Sequence, residues 1–339
     1  NLTNSSGSFI GGGGAVFPGT TGNIITGSPG GSILGGASNR LEDSEGSFIL
    51  GGSEHRIFSS GGSWIGCGND GSVGPNDIDD TNLSCILNGA GNTIFTNNDG
   101  FFNLIGNGTQ NGITGNAQFC TILNGGQNGI TGGVAGGGVS FSLIGGGTGN
   151  IVHGGAFGST IINGLSNTIS SDVASTIVGG SNNWASGLAN TVGGRGCTGA
   201  GTDGLVHGSN CQATGSQTVV LGASGSDGGN GNVFVFADGS TGTFTATDTK
   251  TFNVLCSGTI SVPGAISSAQ GIFFDIGSSG TTKLTSALTP GITGSGNPTW
   301  AYYPGAPGDW TGGPGTAPTT IQEALDRIAS ALVILGQSP

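Results

Sequence analysis

Along the first two thirds of the chain, two apolar residues are followed by Gly or Asn and then, in most copies, by a further Gly. Phe9-Ile10-Gly11-Gly12, Ile33-Leu34-Gly35-Gly36, Ile49-Leu50-Gly51-Gly52, Trp64-Ile65-Gly66 and Ile86-Leu87-Asn88-Gly89 open the series. It runs on through Leu104-Ile105-Gly106, Ile122-Leu123-Asn124-Gly125, Leu143-Ile144-Gly145-Gly146, Ile161-Ile162-Asn163-Gly164 and Ile177-Val178-Gly179-Gly180. Thr191-Val192-Gly193-Gly194, Leu205-Val206-His207-Gly208 and Val220-Leu221-Gly222 complete thirteen copies. Counted from the residue after each pair, the intervals are 24, 16, 15, 22, 18, 18, 21, 18, 16, 14, 14 and 15. The shortest, 14, is read as the basic coil, and the longer ones as coils with inserted loops such as residues 71–81. A weaker second strand follows in many copies, as in Asn23-Ile24-Ile25-Thr26, Asn92-Thr93-Ile94-Phe95, Asn150-Ile151-Val152 and Asn167-Thr168-Ile169. Each coil is thus expected to hold two short strands, with Gly and Asn supplying the positive φ angles of the corners.

One such coil is too small to bury its apolar pair. Coils stacked at the inter-strand spacing of roughly 4.8 Å bury it and satisfy each other's backbone groups, and thirteen of them make a rod of about 60 Å. The pattern therefore predicts an all-β fold, a parallel β-roll or solenoid of about 13 coils. The Gly beside each pair is expected to let another chain approach closely.

The segments Ser175-Thr176-Ile177-Val178-Gly179-Gly180-Ser181-Asn182-Asn183 and Ala189-Asn190-Thr191-Val192-Gly193-Gly194 resemble the 14-residue repeats of YadA-like head domains in trimeric autotransporter adhesins. The resemblance covers roughly residues 5–225 and is most specific from Ile161 to Leu221, where the spacing is nearest to 14. It implies a left-handed parallel β-roll with three chains to a head. Earlier coils depart from the pattern through their insertions.

Four parts are expected: the repeat domain over 1–230, a β collar over 231–276, a Gly/Pro-rich neck over 277–318 and a helix over 319–336. The collar is read from the alternation of Val233-Phe234-Val235-Phe236-Ala237 and the strand-like runs after it; residues 232–254 also resemble the element that closes such arrays in tail-fibre and giant-virus fibre proteins. The neck concentrates Trp300, Tyr302, Tyr303 and Trp310, which either pack between subunits or form an exposed ligand-binding patch. In the last segment Thr320 caps a helix with Glu323 three residues on, and Gly336 ends it. Ile321, Leu325, Ile328, Leu332 and Leu335 form a heptad seam, so this helix is expected to assemble with identical partners, packing against its own chain being the alternative.

Composition narrows the choice. Of 339 residues 76 are Gly and only 7% are charged, which disfavours an ordinary helical or mixed domain, and the Gly clusters lack the strict three-residue period of collagen. Regularly recurring Ile, Val, Leu and Phe argue against disorder. A net charge of −12, with six Lys and Arg against 18 acids, leaves no basic stripe for nucleic acid. No run of about 18 apolar residues could span a bilayer. The six cysteines include no CxxC pair. Cys197 and Cys211, 14 apart, are expected to stack in successive coils as reduced thiols.

Candidate chemistry is thin. Three matches to the G-x-G-x-x-G spacing, from Gly66, Gly194 and Gly199, are discarded because none opens a helix. His153 and His207 fall on the repeat and are read as structural. Asp77, Asp79 and Asp80, in the longest inserted loop, are the one place where a Ca²⁺ site is weighed, against the simpler reading of a solvated loop. No cofactor is expected, and no paired carboxylates on one solenoid wall support a polysaccharide-cleaving spike. The leading expectation is a non-enzymatic, homotrimeric structural and attachment fibre, extracellular on the virion of a large DNA virus or phage, able to join a longer filament and presenting loops to a host receptor or glycan. The second is the passenger of a bacterial trimeric adhesin on the cell surface, which ranks lower because six cysteines fit poorly with export through an oxidising periplasm and no membrane-anchor barrel is visible. An ice-binding solenoid ranks third, since its flat Thr ladders are missing.

Overall fold

A computed structural model describes residues 1–13, 21–68, 73–133, 138–170, 173–240 and 242–257. The chain divides into two units, residues 1–261 and 262–339, and all described residues fall in the first. That unit is a parallel β-solenoid of about 14 turns. Two 15-stranded sheets run its length, and every strand in them pairs in parallel with the strands of the preceding and following coils. Wall 1 runs from Leu2–Thr3 to Phe244–Thr245, and wall 2 from Phe9–Ile10 to Phe252–Leu255. At the spacing of parallel strands, about 4.8 Å, fourteen turns give a rod close to 70 Å long.

The core is a pair of aliphatic columns. In wall 2, Ile33, Ile49, Ile65, Ile86, Ile105, Ile122, Ile144, Ile161 and Ile177 lie in register and are continued by Val192, Val206, Val220 and Val235, all fully buried. In wall 1 the facing column is Ile25, Leu41, Ile57, Ile78, Ile94, Ile113, Ile130, Val152 and Ile169. It tapers to Ala185, Gly199 and Ala213 where the coils shorten to 14 residues.

This corrects the reading of the apolar pair. Successive side chains of a strand point to opposite faces, so each pair contributes one residue to the core and turns the other outward. Which member points in also varies: Ile65 pairs with Ile49, so Trp64-Ile65 buries its second residue whereas Ile49-Leu50 buries its first. The thirteen copies therefore do not share one register.

At the corners the neighbour that demands glycine is the next coil of the same chain. Corner glycines such as Gly36, Gly89, Gly108, Gly147 and Gly208 have positive φ, and a Cβ on each would overlap the carbonyl oxygen of the corner glycine one coil on. Beyond residue 231 the described strands Phe234–Asp238, Phe244–Thr245 and Phe252–Leu255 extend the same two parallel sheets, so up to Leu255 the alternating segment continues the solenoid. The rest of the expected collar, the neck aromatics and the heptad seam lie outside the described residues.

The Gly35-Gly36 pair gives a direct check. A Cβ on Gly35 meets nothing within 4 Å, whereas Gly36, at φ +86°, faces the Gly52 carbonyl. Gly35→Ala is expected to leave thermal stability within about 0.5 kcal/mol of the parent. Gly36→Ala should cost about 3 kcal/mol, from the left-handed conformation and the overlap together. Equal effects of the two substitutions on the unfolding midpoint would contradict the stacking.

Candidate interaction surface

The two walls turn different chemistry to solvent. Outward from wall 1 stand mainly polar and charged side chains, among them Arg40, Glu42, Arg56, Asp77, Asp79, Thr93, Thr114 and Thr168, together with the exposed apolar Ile151 and Trp184. Asp77 and Asp79 do not sit in a loop as expected; they lie in the wall 1 strand Asp77–Asn82, and Asp80 follows them at φ 47°. In parallel register with them, the Arg56 guanidinium bridges both carboxylates, at 2.8 Å to Asp77 Oδ2 and 2.8 Å to Asp79 Oδ2. The hydrogen bond to Asp77 holds Arg56 above its ordinary pKa, while loss of hydration pushes Asp79 upward despite the arginine. Arg40 pairs with Glu42 on the same face. Among the described residues no group of three or more His, Cys, Asp or Glu side chains is placed to hold a metal ion.

Wall 2 is apolar on the outside. Phe9, Leu34, Phe48, Leu50, Trp64, Leu87, Leu123, Ile162, Val178 and Leu205 are each more than a third exposed there. Phe48, Leu50 and Trp64 line a shallow apolar dent. All but Phe48 are the outward members of the apolar pairs. Thr121, Thr160, Thr176 and Thr191 share this face, in register with Leu104, Leu143 and Leu205, yet so many large exposed apolar side chains on one wall are unusual for a surface that meets only water.

A second apolar strip follows the corner by which the chain enters wall 2. Leu83, Phe102, Phe119, Phe141, Phe157, Val173 and Leu188 are all close to half exposed. Backbone bridges from Ser140 to Phe157, to Val173 and to Leu188 make the later part of this corner a parallel ladder of its own. Phe102 stacks on Phe119 with centroids 5.3 Å apart, Phe119 on Phe141 at 4.9 Å, and Phe157 meets Phe141 edge-on at 5.4 Å. Leu83, Phe102, Phe119 and Phe141 have φ between 52° and 56°. For a bulky residue that conformation costs roughly 1–2 kcal/mol. Other coils fill such corners with Asp43, Ser59, Asp203, Gln217 or Asn232.

Inside, the corner leading into wall 1 carries a column of buried amides: Asn23, Asn39, Asn76, Asn92, Asn111, Asn128, Asn150, Asn167 and Asn183. Each carbonyl oxygen accepts a backbone N–H from the next rung. At Asn150, Oδ1 accepts the Asn167 N–H at 3.0 Å while Nδ2 donates to the carbonyls of Gly146 and Gly164, both at 2.9 Å. Serines do the same work elsewhere: the Ser44 N–H donates to Ser28 Oγ and the Ser60 N–H to Ser44 Oγ. The asparagines heading the second strands were visible in the sequence, but as corner residues; the missed signal was their repeat immediately before each wall 1 aliphatic.

One rung of the amide column is His55. Its Nδ1 accepts the Asn76 N–H at 3.0 Å, so the neutral ring carries its proton on Nε2, which faces the Gly68 carbonyl without closing a hydrogen bond of ordinary geometry. Burial lowers its pKa below the usual histidine value. Above Asn183 the column ends in Cys197 and Cys211, buried thiols in adjacent coils, with Cys211 Sγ donating to the Gly222 carbonyl at 3.3 Å. Burial pushes Cys85 and Cys120 up to about 11.

Compared with known protein families and with curated proteins, the sequence matches none. Among the described residues no helix is long and apolar enough to cross a membrane.

Protonation of His55 removes the lone pair that holds Asn76. The unfolded chain takes up this proton near pH 6.5, before the folded one does, so stability present above that pH falls as the pH drops toward the lower folded value, by up to about 1.4 kcal/mol per pH unit. His55→Asn, which restores the amide rung, is expected to flatten this part of the acid dependence. Urea midpoints between pH 7.5 and pH 5 measure it, and identical slopes for the two proteins would contradict the assignment.

Proposed function

We propose that the chain is the rod or head module of a homotrimeric structural and attachment fibre, displayed outside the cell on the virion of a large DNA virus or phage, without catalytic activity of its own. The row of large, exposed apolar side chains on the outer face of wall 2 carries this reading. Three copies with this face turned to a common axis cover it, and each leaves the mainly polar wall 1 and the inserted loops to the outside. The resemblance to YadA-like heads supplies the three-fold stoichiometry and the left-handed roll. Such a rod presents its loops on a stiff support, which suits adhesion to a receptor or glycan. The closing helix seam at Ile321, Leu325, Ile328, Leu332 and Leu335 belongs to the same proposal.

The bacterial adhesin passenger is the second reading, and the repeat supports it equally. Buried thiols such as Cys120, Cys197 and Cys211 favour the viral one, since they fit folding in a reducing compartment better than export through an oxidising one.

Light scattering on the full chain is expected to give the mass of three protomers. Leu87→Lys with Leu123→Lys places charge on wall 2 and is expected to lower the mass to one protomer with the β-rich circular dichroism unchanged. Removing residues 319–339 separates the share of the helix from that of the wall. A full chain that stays monomeric at micromolar concentration contradicts the proposal.

A further inference from the structure

Two apolar strips run side by side on this solenoid, and they differ in relief. Wall 2 offers an undulating column over the middle coils, where Leu87, Leu123 and Ile162 protrude and Gly106 and Gly145 leave notches between them. The notches are built in, because a Cβ on Gly106 would run into the Leu123 carbonyl and one on Gly145 into that of Ile162. The corner offers rings, and it offers them in the same coils. Phe102 precedes Gly106, Phe119 precedes Leu123, and Phe141 precedes Gly145, each by four residues.

From this matching we infer that the phenylalanine corner of one protomer seats on the outer face of wall 2 of the next, so that each contact in the trimer joins two different strips in a head-to-tail ring. The inference rests on the trimeric reading above and says which surfaces meet. A rotation about an axis parallel to the rod keeps every coil at its own level. Phe102 then meets the Gly106 notch of the neighbour, Phe141 the Gly145 notch, and Phe119 lies against Leu123. Heterologous contacts of this kind close into a ring when three of them complete a full turn. The four half-exposed rings supply about 400 Å² of apolar surface, half of the roughly 800 Å² that each partner brings to a stable interface. Leu83, Val173 and Leu188 lengthen the strip at both ends. The stacked rings turn their edges outward, since their faces cover one another. Edges enter notches well but make a poor platform for a sugar, which needs an open ring face.

The left-handed corners provide a substitution that spares the fold. Asn adopts that conformation more readily than Phe, so Phe102→Asn, Phe119→Asn and Phe141→Asn together are expected to keep the β-rich circular dichroism of the parent. The same triple variant should weaken self-association at least tenfold in sedimentation equilibrium. In parallel, p-benzoylphenylalanine placed at position 119 of the full chain is expected, on illumination, to link to residues 121–124 of another copy, while the same group at position 203, a polar corner, gives no such product. A trimer whose association is unchanged by the triple variant, or whose cross-links stay within one chain, overturns this pairing and leaves the trimer standing with its corner free for another partner. A parent protein that is monomeric overturns the trimer and this pairing together.

Discussion

Each coil of this protein lies one strand spacing from the next, and that distance decides what every position accepts. It brings the carbonyl of one corner glycine to the place where the previous coil's Cβ would stand, so the corners are glycine. It brings the backbone N–H of each coil within reach of a side-chain oxygen one coil below, so the inward corner positions carry Asn or Ser. Between them, a strand of two or three residues leaves room for one aliphatic pointing in, and the Ile and Val columns follow. The amide column is the costly part. A buried amide must find partners for both ends, and an interrupted column leaves backbone groups of the neighbouring coil unpaired.

Much of this architecture was legible from spacing. Two strands per coil and parallel stacking follow from short apolar segments too small to bury themselves, and the solenoid shows them; in wall 2 the 14-residue period holds only from Val192 through Val206 to Val220. What spacing could not resolve was direction. A two-residue apolar segment looks the same whether its first or second member faces in, so Ile49-Leu50 and Trp64-Ile65 were indistinguishable until their partners were known. At the corners sequence does not say whose backbone comes close, and it is the carbonyl of the next coil that does. Asp77 and Asp79 looked like loop carboxylates because nothing local marks Arg56, one coil away, as their partner. The phenylalanine corner was missed outright, since Phe102, Phe119 and Phe141 sit where turn residues are expected and bulky side chains are disfavoured.

The outward residues of the apolar pairs link fold to function. They cost the isolated chain an exposed face, and the corner rings add backbone strain to it. Both features are concentrated on one side and one edge, while the opposite wall is mainly polar, with Ile151 and Trp184 exposed on it, and holds the Arg56 ion pairs. A rod with one greasy side and one wet side is a subunit more than a finished object, which is why the proposed role is structural and multimeric.

The central claim is the coil-to-coil amide column, and native-state hydrogen exchange tests it most directly. In the parent protein the backbone N–H groups of Asn111, Asn128, Asn150 and Asn167 should exchange only with opening of the solenoid itself. Asn150→Ala should open the rungs on either side, with Asn167 losing protection by two to three orders of magnitude, equivalent to about 3–4 kcal/mol. Unchanged protection at Asn167 in that variant, or exchange of these amides within seconds in the parent, would contradict the account.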